Sequence, residues 1–180
     1  MTATVIAASS SEASRLQTLA SFHVLDTPPL AMFDQVVQVA SLLCGTSIAL
    51  VSLVDRDRLY FMARIGVDVA EVPNERSLCN HAILTPTDML EVRDASVDPR
   101  FADSPLVTGP PGIRFYAGVP LVTSEGDVLG TLCVIDRQPR SLTESQRVAL
   151  DSLAQITMAL MESRRMERVS AEKLSSSAFG

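Results

Sequence analysis

Two runs of strand-forming residues, Phe115 to Val122 and Val128 to Ile135, are separated only by Thr123-Ser124-Glu125-Gly126-Asp127. A short linker carrying Gly and Asp suits a hairpin loop, so the two runs must pair antiparallel. A second pair stands earlier in the chain: Ser47 to Val54, a turn at Asp55-Arg56-Asp57-Arg58, and Leu59 to Ile65 ending at Gly66. Strands joined this closely cannot be parallel neighbours, which need a long crossover. The centre of the fold is therefore expected to be an antiparallel sheet.

Helical spacing flanks these strands. Leu16, Leu19, Ala20 and Val24 form a short stripe that ends at Asp26-Thr27-Pro28-Pro29. From Met32, the positions Phe33, Val36, Val37, Ala40, Leu43 and Cys44 recur at helical spacing, and Gly45 sits where a helix end needs a left-handed residue. Thr143 and Gln146 have capping-box spacing and open a last helix, expected to reach about Lys173. Its apolar residues make two stripes about 100° apart, Ala149, Leu153, Ile156, Leu160 and Leu150, Ala154, Met158, Met161. One stripe can cover the sheet. The second, Leu150 to Met161, is expected to be wet in a monomer and to form a homodimer interface. Between the strand pairs, Pro73 to Gly112 is irregular, with a short helix from Ser77 and a short strand at Met89 to Val92. Residues 1–10 lack periodicity and are read as a disordered arm, 11–165 as the domain, and 166–180 as a charged helical extension or linker.

With 180 residues, 47% of them hydrophobic, the chain can bury one substantial core. No apolar run approaches the roughly 18 residues of a membrane span, and the N-terminus lacks the basic and apolar regions of a secretory signal. A cytoplasmic location, with no membrane partner, is expected. Cys44, Cys79 and Cys133 are odd in number and widely spaced, which argues for free thiols over a disulfide framework or a zinc site. A formal charge of -6 opposes nucleic-acid binding.

The segment Gly118-Val-Pro-Leu-Val-Thr-Ser-Glu-Gly-Asp-Val-Leu-Gly-Thr-Leu-Cys-Val-Ile-Asp136 resembles the last hairpin of GAF domains, a family of small-molecule sensors. Asp26-Thr27-Pro28, Phe33-Asp34, Ile48 to Asp55, Ser77-Leu-Cys-Asn-His-Ala-Ile83 and Val92-Arg-Asp-Ala-Ser-Val-Asp-Pro-Arg-Phe101 extend the resemblance in the family's order over about residues 12–165. It implies an α/β fold of the α+β type, a central antiparallel sheet of five or six strands. The N- and C-terminal helices would lie on one face and irregular ligand-pocket connections on the other. It also implies a bound small molecule, here unidentified, in a pocket at Ser77 through Arg114, with homodimerisation through the terminal helices. A kinase, cyclase or transcription output domain would be the downstream partner.

Candidate site residues come from that irregular region. Ser77 would cap a helix whose amides could lower the pKa of Cys79, although Cys79 and His81, two apart, point in different directions. Arg114 could clamp a carboxylate or phosphate, or pair internally with Asp94 or Asp98. Tyr116, Asp94 and Arg100 complete the set of ligand-binding candidates with His81, Cys79 and Arg114. Free methionine sulfoxide reductases resemble GAF domains and supply an enzymatic alternative, but Thr85 through Gly112 contains no partner cysteine. A bilin would need a cysteine near Pro105 to Gly112, which is also absent. No catalytic or metal-binding motif is found. The expected function is thus a non-enzymatic sensory domain with no assignable cofactor; a dimerisation scaffold without ligand is the other alternative.

Overall fold

Both expected hairpins lie at the centre of one six-stranded antiparallel sheet. The computed structural model describes the backbone of residues 3–75 and 77–177, and side chains from Glu12 onward. Part of the expected N-terminal arm, residues 1 and 2, lies outside the described residues. The first hairpin is β1 (Ile48–Val54) and β2 (Arg58–Ile65); a short β3 (Glu71–Pro73) and β4 (Leu90–Val92) follow; the second hairpin is β5 (Phe115–Val122) and β6 (Val128–Asp136). The strand order is β3-β2-β1-β6-β5-β4. β1 pairs with β6 from Ile48 opposite Ile135 to Leu53 opposite Gly130, which joins the two hairpins into one sheet.

The helices are α1 (Ala3–Ser21), α2 (Ala31–Cys44), α3 (Leu78–Ala82), α4 (Pro105–Thr108) and α5 (Glu144–Ser177). α1 begins at Ala3, ahead of residue 11, where the domain was expected to start. α2 ends where Gly45 takes a φ of 63°, a conformation only glycine adopts without cost. The capping box of α5 forms as its spacing predicts: Gln146 N donates to Thr143 Oγ1 at 3.2 Å, and Thr143 N donates to Gln146 Oε1 at 2.9 Å.

Every residue of β1 and β6 is buried, because the sheet is covered on both sides. Ala49, Val51, Leu53, Ala117, Val119, Leu132 and Val134 pack with α1, α2 and α5. Ile48, Leu50, Tyr116, Cys133 and Ile135 face the other way, toward α3, α4 and the loops. Alternation along a strand produces this division.

The expected homodimer stripe is corrected here. Leu150, Ala154, Met158 and Met161 are the residues of α5 that pack against the sheet, with Thr157 among them. The other stripe is the more open one, with Ile156 half exposed. Both stripes are apolar, so periodicity could not say which faces inward.

Arg15 ties α1 to the sheet. Its buried Nη1 donates to the carbonyls of Val54 at 2.8 Å and Val128 at 3.3 Å, while Glu12 accepts from Nε and Nη2. Among the described residues no helix is long and apolar enough to cross a membrane.

Candidate functional site

A cavity of about 420 Å³ lies between the sheet and its irregular connections. Ile48 and Leu50 of β1, Leu59 and Phe61 of β2, and Ile135 of β6 form the sheet wall. Val67, Val69 and Val72 close one side; Leu106 of α4 with Pro110, Pro111 and Ile113 close another. The walls are overwhelmingly hydrocarbon. Polar groups are confined to Ser77, Cys79 and Tyr116 at one end and Arg137, an exposed residue, at the rim. Arg137 Nε donates to Pro111 O at 3.1 Å, so its guanidinium is held beside the proline-rich wall.

The polar end is built from strand register. Gly118 of β5 stands opposite Cys133 of β6, and Cys133 stands opposite Leu50 of β1. A side chain on Gly118 would meet the Tyr116 ring, since a Cβ there would lie 2.2 Å from the Tyr116 hydroxyl. Glycine leaves the space in which that ring lies across the sheet. The Tyr116 hydroxyl reaches 3.5 Å from both Cys79 Sγ and Thr131 Oγ1, and the Thr131 hydroxyl donates to Cys79 Sγ at 3.4 Å. Ser52 Oγ is buried beside the same thiol without a well-formed hydrogen bond.

Two thiols share this polar end. The neighbouring Cys133 thiol is the largest influence holding the Cys79 pKa down, to about 6; Thr131, Tyr116 and Ser52 act in the same sense and burial opposes them. Cys133 moves the opposite way, pushed well up by Cys79 and by burial. The pair therefore favours one negative charge, carried by Cys79. Burial raises the Tyr116 phenol, which stays a neutral donor. Ser77 caps α3 as expected, accepting from Asn80 N at 3.1 Å, and the influences that lower the Cys79 pKa come from side chains of the sheet face beneath α3.

Of the six candidate residues, the structure brings Cys79 and Tyr116 together at the cavity. The other four stand apart from its lining. His81 turns away from Cys79 and meets the Phe101 ring edge-on, with centroids 4.8 Å apart. Arg114 Nη1 donates to the carbonyls of Val107 and Ile113, each at 3.0 Å, and so fastens the α4 segment to the start of β5. Asp94 accepts from Ser96 N at 3.0 Å and Ser96 Oγ at 2.6 Å. Arg100 pairs with Asp98 at 2.7 Å and lies over Phe101; that pairing holds the Asp98 carboxyl below its ordinary range. Thr131, Cys133 and Arg137 were missed by sequence reasoning. The alternation of Thr131, Cys133 and Ile135 on one strand face was the available signal.

Residues 28–160 match the family model for the GAF domain. The chain belongs to the GAF domain family. GAF domains are sensory modules and generally regulatory. This GAF domain is 45% identical over 135 residues to a protein named as a cyclic di-GMP phosphodiesterase, PA2567 of Pseudomonas aeruginosa; the match covers 74% of this chain and 23% of that protein. The chain thus spans about a quarter of the length of that relative. Its fold is similar to that of the free methionine-R-sulfoxide reductase of Neisseria meningitidis, with 21% identity, a TM-score of 0.62, and coverage of 84% of this chain and 89% of that one. The PixJ GAF domain of Thermosynechococcus elongatus, a blue-light absorbing form, is similar at 16% identity and a TM-score of 0.64, covering 81% and 92% of the two chains.

Proposed function

We propose that this GAF domain is a non-enzymatic sensor whose cavity binds a compact, mostly apolar molecule and whose terminal helices carry the signal as a homodimer. The observation that carries this reading is the cavity of about 420 Å³ on the sheet face opposite the helices. Its size falls within the roughly 300–1,000 Å³ of small-molecule sites. Hydrocarbon walls select an apolar body, and Arg137 at the rim offers a cationic partner to one anionic group. Cys79 and Tyr116 are the polar contacts at the far end, while Arg114 supports the wall. The likeness to a phosphodiesterase over its GAF segment supports a nucleotide-signalling output, alongside kinase outputs found with other GAF domains.

For dimerisation, α2 and α5 present the suitable surface. Leu42 is 75% exposed and Leu43 48%, and on α5 Val148 is 58% and Ile156 50% exposed. Gln146 Nε2 donates to Leu43 O at 3.0 Å, so the two helices already meet where these residues stand.

Thermal unfolding with 2-naphthoate, an apolar ring with one carboxylate, tests the cavity. Stabilisation is expected in the wild type and should vanish in Leu106→Trp, which fills the space from α4 and leaves every sheet residue unchanged. Equal stabilisation of both proteins would exclude the cavity as the binding site.

A further inference from the structure

We propose that Cys79 and Cys133 form a dithiol redox site at the polar end of the cavity, oxidised to a disulfide by an apolar organic hydroperoxide. This rests on the reading that the cavity admits apolar small molecules. Cys79 lines the cavity, whereas Cys133 is fully buried behind it on β6. An incoming oxidant therefore meets Cys79 first. Thr131, two residues before Cys133 on the same face of β6, donates to Cys79 Sγ at 3.4 Å, Cys79 and Cys133 belong to one buried cluster, and α3 packs directly on β6, so the second thiol is positioned to resolve the first. The Tyr116 hydroxyl, which lines the cavity 3.5 Å from Cys79 Sγ, is placed to donate to a peroxide oxygen approaching that sulfur. Hydrocarbon walls favour an alkyl or aryl hydroperoxide over strongly hydrated hydrogen peroxide.

The chemistry balances without another reagent. The Cys79 thiolate attacks the distal peroxide oxygen: an S–O bond forms, the O–O bond breaks, and the departing alkoxide takes up the proton that Cys79 released, leaving as an alcohol. Cys133 then attacks the sulfenic sulfur. An S–S bond forms, the S–O bond breaks, and hydroxide leaves with the Cys133 proton as water. Two thiols lose two electrons, and one hydroperoxide becomes an alcohol and water.

The full chain, reduced and freed of reductant, is mixed with stoichiometric cumene hydroperoxide and followed by intact mass and non-reducing peptide mapping. A loss of about 2 Da with a Cys79–Cys133 cross-link is expected, faster than with equimolar hydrogen peroxide. Cys133→Ser should stop at a gain of about 16 Da that dimedone traps, Cys79→Ser should not react at this rate, and Cys44→Ser should match the wild type. Hydrogen peroxide reacting as fast as cumene hydroperoxide, wild type ending as a sulfenic or sulfinic acid, or an unchanged rate in Cys79→Ser would each overturn the proposal. The wild-type kinetics decide the matter even if a cysteine variant fails to fold. Stabilisation of the wild type by 2-naphthoate without formation of the disulfide overturns the redox site alone. Disulfide formation without such stabilisation overturns the ligand reading while leaving the thiol pair intact.

Discussion

Cys133, Thr131, Tyr116 and Ser52 all favour the charged form of Cys79, and this governs how the cavity thiol titrates. As pH rises through about 6 the Cys79 thiolate population grows, so alkylation by a small apolar reagent such as N-ethylmaleimide should rise there and level off well below pH 9. In Cys133→Ala the largest stabiliser of the thiolate is gone, and the midpoint should move up toward the ordinary value of about 8.5. An unchanged midpoint in that variant would show that Cys133 does not hold the charge on Cys79. The sequence marked Cys79 and Tyr116 because both stand in or beside the irregular stretch that a pocket needs. Thr131 and Cys133 carry only the weak signal of strand alternation, because they stand behind the cavity lining and meet Cys79 only through the pairing of β6 with β1 and β5. Arg114 was singled out for its fork of donors, and the fork is engaged by the Val107 and Ile113 carbonyls. Which acceptor an arginine meets depends on the path of distant loops, and residue type alone does not contain it.

At the level of elements, the reversal of the α5 stripes separates stability from association. Leu150→Ala empties a fully buried site and should lower stability by about 2–5 kcal/mol in chemical denaturation, with no separate effect on oligomeric state. Ile156→Glu changes a half-exposed residue and should leave stability nearly intact while shifting sedimentation toward monomer. Equal losses of stability in the two variants would contradict the burial of the Leu150 stripe. Hairpins, α2 and the capping box of α5 were legible because each is fixed by neighbours in sequence. The short β3 and α4 were not. Three residues of Glu71–Pro73 form a strand only because β2 offers its edge, and Pro105–Thr108 is one helical turn within a loop.

Across the whole molecule, one sheet separates the cavity from the helices, and adjacent residues of β5 serve the two sides. Tyr116 bounds the cavity while Ala117 packs beneath the helical layer. A ligand that shifts Tyr116 therefore acts one residue away from the surface on which α5 rests. If occupancy changes the self-association of α2 and α5, association must change the affinity of the cavity by the same factor, because the two equilibria close one thermodynamic cycle. Titrations of 2-naphthoate at protein concentrations below and above the dimer dissociation constant should accordingly give different half-saturation points; coincident curves would mean the two faces of the sheet are uncoupled. The thinness of this partition also makes any domain joined to α5 an effector in its own right. By favouring or opposing helix association, such a domain would set the concentration at which its own sensor responds, so identical cavities attached to different outputs would answer to different thresholds.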